Sequence, residues 1–220
     1  LRDLLQKFAL DGVWMDYVHW HAQFEDPEPI LPETCFCDHC LESFSQSTGL
    51  KISGKNTSES AHWILNNYEE AWRDWRCKVI FDWTVEIKQI VKEIRPKALL
   101  GLYHCPWDDQ DFDGARRRIL GLDYDLLKET VDVFSPMVYH GRMGRKPECN
   151  RLDLGDGAYP KVWPIVQAHD DPGVITADEF ETVLRGGLSS KSSGVMMFTT
   201  NDIAKSPEKT EVLKKIYLNK

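Results

Sequence analysis

The chain has 220 residues, of which 42% are hydrophobic and 28% charged, a composition typical of a globular domain with a sizeable core. Its 35 acidic residues outnumber its 27 basic ones, and the formal net charge of -8 argues against nucleic acid or an anionic membrane as a partner, because both require a basic face. No stretch approaches the roughly 20 apolar residues of a membrane span, and the first residues lack a signal-peptide pattern, so no membrane partner is expected.

The N-terminal segment predicts a short helix over residues 1–10, followed directly by a buried strand over residues 13–20. The turn pair Asp11-Gly12 introduces this strand, and Asp16 lies inside its apolar run. Because burying an unpaired carboxylate costs several kcal/mol, Asp16 is expected at the end of the strand, facing a cleft or a partner. The alternative is that Asp16 caps the next segment or pairs with a buried arginine.

A cysteine-rich loop is predicted to follow this strand, over about residues 21–60 of a single domain that spans residues 1–220. Cys35, Cys37 and Cys40 have the C-x-C-x-x-C spacing of a zinc site, and thiols this close cannot readily form unstrained disulfides with one another. The sequence predicts a structural zinc ion here, with no cofactor required for catalysis. Candidates for a fourth ligand are Cys77, Cys105, Cys149, His39 or a residue of another segment, and the alternative is free thiols or longer-range disulfides.

The rest of the chain alternates helices with strands, which is typical of a parallel α/β fold. A long amphipathic helix is predicted over residues 61–95, ended by Arg95-Pro96, with its tryptophans packed against the sheet. Further strands are predicted over residues 98–104, 131–139, 162–169 and 194–200. Shorter helices are predicted over residues 123–130 and 178–186, the second with Thr176 as its N-cap.

Polar or aromatic residues stand at the carboxyl end of every predicted strand, and no glycine-rich phosphate-binding fingerprint follows any of them. A (βα)8 TIM barrel gathers all of its strand ends around one mouth, whereas an open sheet uses only those beside its switch point. The sequence therefore predicts a TIM barrel. Because eight units need about 250 residues, this chain is expected to hold about the last five βα units, with the remainder supplied by a missing N-terminal segment or by a second copy of the chain.

The first half of the chain resembles the (βα)8 glycoside hydrolases. The Asp16 strand, the motif Cys35-x-Cys37-x-x-Cys40-Leu-x-x-Phe44, and a tryptophan-rich helix ending at Arg95-Pro96 are similar to bacterial β-galactosidases that carry a three-cysteine zinc motif after the fourth strand. The run Asp11-Gly-x-x-x-Asp16-Tyr17 also resembles uncharacterised glycosidase-like barrels. The likeness covers roughly residues 10–100. Residues 135–139 and 194–198 more weakly resemble the sixth and eighth strands.

The resemblance implies a hydrolase acting on an oligo- or polysaccharide, but it does not transfer a catalytic pair. The β-galactosidases carry an Asn-Glu acid on the fourth strand and a glutamate nucleophile on the seventh, where this chain has Asp16 and Gln167-Ala-His169-Asp170. Glycoside hydrolysis generally needs two carboxyl groups. Asp16 is the first candidate, and Asp108 and Asp170 are candidates for the second. Predicted substrate-binding residues are His19, Trp20, His104, Trp107, Tyr139, His140, Gln167 and Asn201.

Two other functions remain open at this point. The histidines at the strand ends, with Asp170 or Asp202, are residues that hold a catalytic metal in hydrolases of the amidohydrolase type. A catalytically inactive carbohydrate-binding barrel is the other alternative. The sequence leaves open both a cytoplasmic location and a secreted or periplasmic one.

Overall fold

The computed structural model describes residues 1–149, 161–188 and 192–218. Its centre is a curled parallel sheet, a half-barrel whose strands follow one another in the order of the chain. The strands are β1 (Gly12–Met15), β2 (Leu99–His104), β3 (Val133–Val138), β4 (Lys161–Val162), β5 (Ile165–Gln167) and β6 (Met196–Phe198). The parallel α/β prediction and its five strand positions are thus confirmed. The complete eight-stranded barrel stays a prediction.

β4 and β5 are two parts of one predicted strand, lying in succession beside β3. Phe134 pairs with Val162 and Met137 pairs with Ile165, so the register continues unchanged across the interruption. Pro164 lies in the gap, and proline cannot donate a ladder hydrogen bond. The interruption therefore leaves the alignment of β4 and β5 with β3 unchanged.

The helices cover the outer face of the sheet. They are α1 (Arg2–Lys7), α2 (Asp38–Thr48), α3 (Thr57–Asn67), α4 (Glu69–Ile94), α5 (Ala115–Arg118), α6 (Tyr124–Leu127), α7 (Ala177–Gly187), α8 (Thr200–Lys205) and α9 (Pro207–Tyr217). Leu100 and Leu102 of β2 are fully buried and join a core cluster with Ile80 of α4 and Leu127 of α6. No described helix combines the length and apolar character that crossing a membrane requires.

The predicted long helix is divided at Tyr68 into α3 and α4. The sequence predicted that its tryptophans pack against the sheet, but in the structure they do not lie on one stripe facing it. Trp72 and Trp75 are buried in a separate cluster with Phe44 of α2 and Ile64 of α3, while Trp83 is 48% exposed. The cysteine-rich loop thus contributes its own small core, which fixes it against α4.

The end of the chain packs on the same outer face. α7 begins with the capping box predicted at Thr176, whose side chain accepts from the Glu179 amide while Glu179 accepts from the Thr176 amide. Val183 and Leu184 of α7 form a second buried cluster with Val166 of β5 and Val212 of α9.

Candidate active site

The side chain of Trp14 shows which residues face the inside of the half-barrel. Its indole N–H donates to Ser135 Oγ at 3.0 Å, reaching across β2. A Cβ atom added to Gly101 would lie 2.2 Å from the Trp14 ring, so only glycine allows this close approach. Because alternate residues of a strand share a face, Asp16 follows Trp14 on the inner side, at the carboxyl end of β1.

Asp16, Tyr103 and Tyr139 stand at or directly after the carboxyl ends of β1, β2 and β3. The Asp16 carboxylate is exposed, and its Oδ1 accepts the Tyr17 N–H at 2.9 Å. Burial raises the pKa of the Tyr103 hydroxyl, and the negative charge of Asp16 raises it further. The pKa of Tyr139 is raised by burial first and then by the charges of Glu25 and Asp16. The two tyrosines thus lie within electrostatic reach of the same carboxylate.

A cluster around Arg142 lies beside Tyr139, and sequence reasoning missed it. Arg142 forms an ion pair with Glu25 and a second one with Asp171 at 3.2 Å. Its guanidinium lies 5.6 Å from the centre of the Tyr139 ring and 5.7 Å from that of Phe198. Arg142 therefore joins the loops that follow β1, β3 and β5.

Gln167, a predicted substrate-binding residue, lies fully buried at the base of these loops. Its Oε1 accepts the backbone N–H groups of Gly141 at 2.9 Å and Arg142 at 3.3 Å. Its Nε2 donates to the carbonyls of His169 at 3.0 Å and Asp171 at 2.8 Å. These four bonds occupy the amide with the protein's own backbone, so Gln167 shapes the mouth by holding Arg142 and Asp171 in place.

Asp108 and Asp170, the two candidates for the second carboxylate, have structural partners. Asp108 Oδ1 accepts the backbone N–H groups of Gln110 at 2.7 Å and Asp111 at 3.0 Å within its own loop. Asp170 accepts from Lys209 Nζ at 2.7 Å, and this hydrogen bond lowers the pKa of Asp170. The structure does not bring either residue to Asp16 through any described contact.

The predicted aromatic platforms are largely packing residues. The indole N–H of Trp20 donates to the Arg76 carbonyl at 3.2 Å, and the ring lies against Trp75 of α4. Trp107 is buried beside Phe112, with ring centres 4.6 Å apart. Among the aromatic residues predicted to bind substrate, only Tyr139 lies in the cluster around Arg142, where it stacks on Phe198 at 5.3 Å.

His104 and His140 lie on the outer face of the sheet, away from the inside of the half-barrel. His104 has the same parity in β2 as Leu100 and Leu102, and burial lowers its pKa to about 3. Its Nδ1 contacts the Cys105 carbonyl and the Tyr124 hydroxyl. His140 is also buried, and neither of its ring nitrogens has a hydrogen-bond partner within the described part of the chain. Burial lowers its pKa as well.

His19, His169 and Asn201 lie at the rim. His19 Nδ1 is 2.7 Å from the Trp20 carbonyl, and its ring packs edge-on against Phe24 at 5.3 Å. His169 Nδ1 lies 3.1 Å from the carboxylate of Asp202, which Thr199 also contacts. Asn201 is exposed in the first turn of α8. Where the structure describes the chain, none of these side chains belongs to a cluster of three or more potential metal ligands.

The three cysteines do form such a cluster. The Sγ atoms of Cys35, Cys37 and Cys40 lie within 4.8 Å of one another. Hydrogen bonds from the Cys40 backbone and the neighbouring thiols lower the pKa of Cys37, which caps α2, whereas burial raises that of Cys40 to about 12. Of the predicted fourth ligands, Cys77 and Cys105 are buried elsewhere, and the side chain of Cys149 lies outside the described residues.

Comparison with known proteins supports the fold. No family model and no curated protein matches the chain. The glycoside hydrolase domain of PgaB (BpsB) from Bordetella bronchiseptica aligns over 96% of this chain with a TM-score of 0.62 at 14% sequence identity. The present chain spans 58% of that structure. Bee venom hyaluronidase aligns over 82% of this chain and 60% of its own length at 16% identity, and its TM-score of 0.36 is too low to define a shared fold.

Proposed function

We propose that this chain carries the active site of a glycoside hydrolase that cleaves an oligo- or polysaccharide, with Asp16 as one of its two catalytic carboxyl groups. One observation carries the proposal: the Asp16 carboxylate is exposed directly after β1, on the same side of the strand as Trp14, whose indole reaches across the inner face of the sheet. Active sites of (βα)8 barrels lie at this end of the strands. The likeness to a glycoside hydrolase domain supports the fold on which the proposal depends.

The surroundings of Asp16 suit a carbohydrate. Tyr103, which is partly exposed, offers a hydroxyl group for a hydrogen bond to a sugar, and aromatic side chains with a few polar groups are typical of small-ligand sites. The alternative metal-dependent hydrolase gains no support from the described residues, because His104 and His140 are buried on the other side of the sheet. The position of Asp16 inside the half-barrel therefore supports catalysis by carboxyl groups better than catalysis by a metal ion bound to histidines.

The experiment compares the parent protein with Asp16→Asn on labelled oligosaccharides of different sugars and linkages, with product analysis by mass spectrometry. Cleavage by the parent and its loss in Asp16→Asn, with the melting temperature retained, would support the proposal. Binding of an oligosaccharide without cleavage would instead favour a binding barrel. Loss of folding in Asp16→Asn would make Asp16 a structural residue.

We also propose that Cys35, Cys37 and Cys40 bind a structural zinc ion. Zinc–sulfur bonds of about 2.3 Å in a tetrahedral site hold the sulfurs roughly 3.8 Å apart. The three Sγ atoms, within 4.8 Å of one another, need only small adjustments to reach that spacing. His39, in the same turn of the chain, is a candidate for the fourth position. The ion would lock the start of α2 to the loop that follows β1.

A further inference from the structure

We infer that Glu25 is the second catalytic carboxylate, the general base that faces Asp16 across the mouth. This inference rests on the proposed glycosidase function and names a residue that sequence reasoning did not select. Its basis is the position of the Glu25 side chain: it pairs with the same Arg142 whose guanidinium lies over the ring of Tyr139. Asp16 stands at the same end of the sheet, directly after β1.

The hairpin that carries Glu25 is firmly held. Gln23 and Ile30 exchange two backbone hydrogen bonds, at 3.0 and 2.9 Å, which close the hairpin. Phe24 is buried between His19 and Trp107, with ring centres 5.3 and 6.0 Å away. Pro27 reaches the backbone of Gly144, where an added Cβ would lie 3.1 Å from its ring. Glu25 is therefore a positioned residue on a rigid support, as a catalytic group needs to be.

Arg142 is held as firmly as Glu25. Its backbone N–H donates to Gln167, and its guanidinium contacts Asp171 and lies beside the rings of Tyr139 and Phe198. The ion pair uses Oε2 of Glu25, and among the described residues Oε1 has no hydrogen-bond partner. The Glu25 side chain is 34% exposed. One oxygen is thus oriented by the arginine, while the other makes no hydrogen bond to the described residues and belongs to a side chain that is partly exposed.

Glu25 contacts the guanidinium that lies over the ring of Tyr139. Burial raises the pKa of Tyr139, and the negative charges of Glu25 and Asp16 raise it further. Asp108 and Asp170 instead have backbone or lysine partners of their own. Asp171 also pairs with Arg142, but its side chain is 58% exposed, against 34% for Glu25. Glu25 is therefore the carboxylate best placed to work with Asp16.

The chemistry that this pair supports is a direct displacement by water. Glu25 takes a proton from the water as its oxygen bonds to the anomeric carbon. The glycosidic carbon–oxygen bond breaks, its electron pair leaves with the departing oxygen, and that oxygen receives a proton from Asp16, which reacts in its protonated form; the proton taken up by Glu25 then returns to Asp16 through solvent. Water supplies the remaining atoms, so no further reactant is needed.

The test measures turnover of dinitrophenyl glycosides and oligosaccharides by the parent protein, Glu25→Gln, Glu25→Ala and Asp171→Asn. Asp171→Asn is the matched control, because it removes a carboxylate from the same guanidinium. We expect Glu25→Gln to lose about 100-fold or more in kcat, the range for a general base, while Asp171→Asn stays within about 10-fold. Added azide should restore turnover of the dinitrophenyl glycoside by Glu25→Ala, because azide can bond to the anomeric carbon as dinitrophenolate leaves.

Equal losses in Glu25→Gln and Asp171→Asn, or no azide rescue, would show that Glu25 only joins loops and would overturn the inference. If Glu25→Gln unfolds because Arg142 loses one of its two ion pairs, the double variant Glu25→Gln/Arg142→Met removes the arginine charge and is tested against Arg142→Met alone; equal turnover in these two would also overturn the inference. A parent protein that cleaves no glycoside would end the proposed function and the role of Glu25 with it. Loss of cleavage in Asp16→Asn but not in Glu25→Gln would end the Glu25 inference alone.

Discussion

Lys209 and Asp170 form an ion pair at 2.7 Å that joins α9 to the loop after β5. The lysine is 3% exposed and also donates to the Ala168 carbonyl at 2.8 Å. A buried ammonium group left without its carboxylate is costly because it has no water to replace the lost partner. The pair therefore gives Asp170 a structural role that the sequence did not reveal.

From this relationship we expect Asp170→Asn to lower the free energy of unfolding by about 1–3 kcal/mol, the cost of an impaired buried hydrogen bond to a charged group. Cleavage per folded molecule should change little. Urea unfolding and glycosidase assays on the same preparation check both parts. An Asp170→Asn protein as stable as the parent but inactive would return Asp170 to the catalytic pair.

Gln167 gives a second stability prediction. Replacing it with methionine keeps the length of the side chain but leaves the backbone groups of Gly141, Arg142, His169 and Asp171 without their partner. We expect Gln167→Met to lose about 1–3 kcal/mol of stability and to loosen the loop that positions Arg142. Hydrogen exchange at the Gly141 and Arg142 amides measures this directly, and unchanged protection of those amides would contradict the bracing role.

His104 makes stability depend on pH. Burial lowers its pKa from 6.5 to about 3, so the unfolded chain binds a proton over this interval while the folded protein does not. The contribution of neutral His104 to the free energy of unfolding is complete above pH 6.5. It is lost as the pH falls towards 3, at up to about 1.4 kcal/mol per pH unit. His104→Asn keeps a side-chain nitrogen near the Cys105 carbonyl but cannot titrate. The free energy of unfolding of this variant should therefore change less between pH 6 and 4 than that of the parent. An unchanged slope in urea titrations would refute this.

The zinc proposal predicts that Cys37→Ser lowers bound zinc and destabilises the loop around α2. Cys77→Ser is the matched control, because Cys77 is a buried thiol outside the three-cysteine cluster. Elemental analysis of the purified proteins should find about one zinc ion per chain in the parent and the control but not in Cys37→Ser. The same zinc content in the parent, Cys77→Ser and Cys37→Ser would contradict the proposal.

Much of the fold could be predicted because apolar runs and turn residues are local signals. The strand that precedes Asp16 and the capping box at Thr176 were both predicted from a few neighbouring residues. The tryptophans of α4 were misplaced for a different reason. Their cluster with Phe44 and Ile64 depends on how the cysteine-rich loop folds back, which periodicity within one helix does not reveal.

The candidate site was harder to predict than the fold. Tyr139 and His140, which were both predicted to bind substrate, are adjacent residues at the end of one predicted strand, so only one of them can face the inside of the barrel. Alternation alone excludes the joint prediction. The ion pair of Arg142 with Glu25 is different, since 117 residues separate its members and only the folded loops bring them together.

The most direct test of the proposed function is the rate of oligosaccharide cleavage by Asp16→Asn relative to the parent, measured on proteins shown to have equal melting temperatures. Asp16 is exposed, so the neutral amide should leave the fold intact. We predict that the parent cleaves at least one substrate and that the variant loses about 100-fold or more of that rate. Equal cleavage by both proteins would contradict the assignment of Asp16 as a catalytic group.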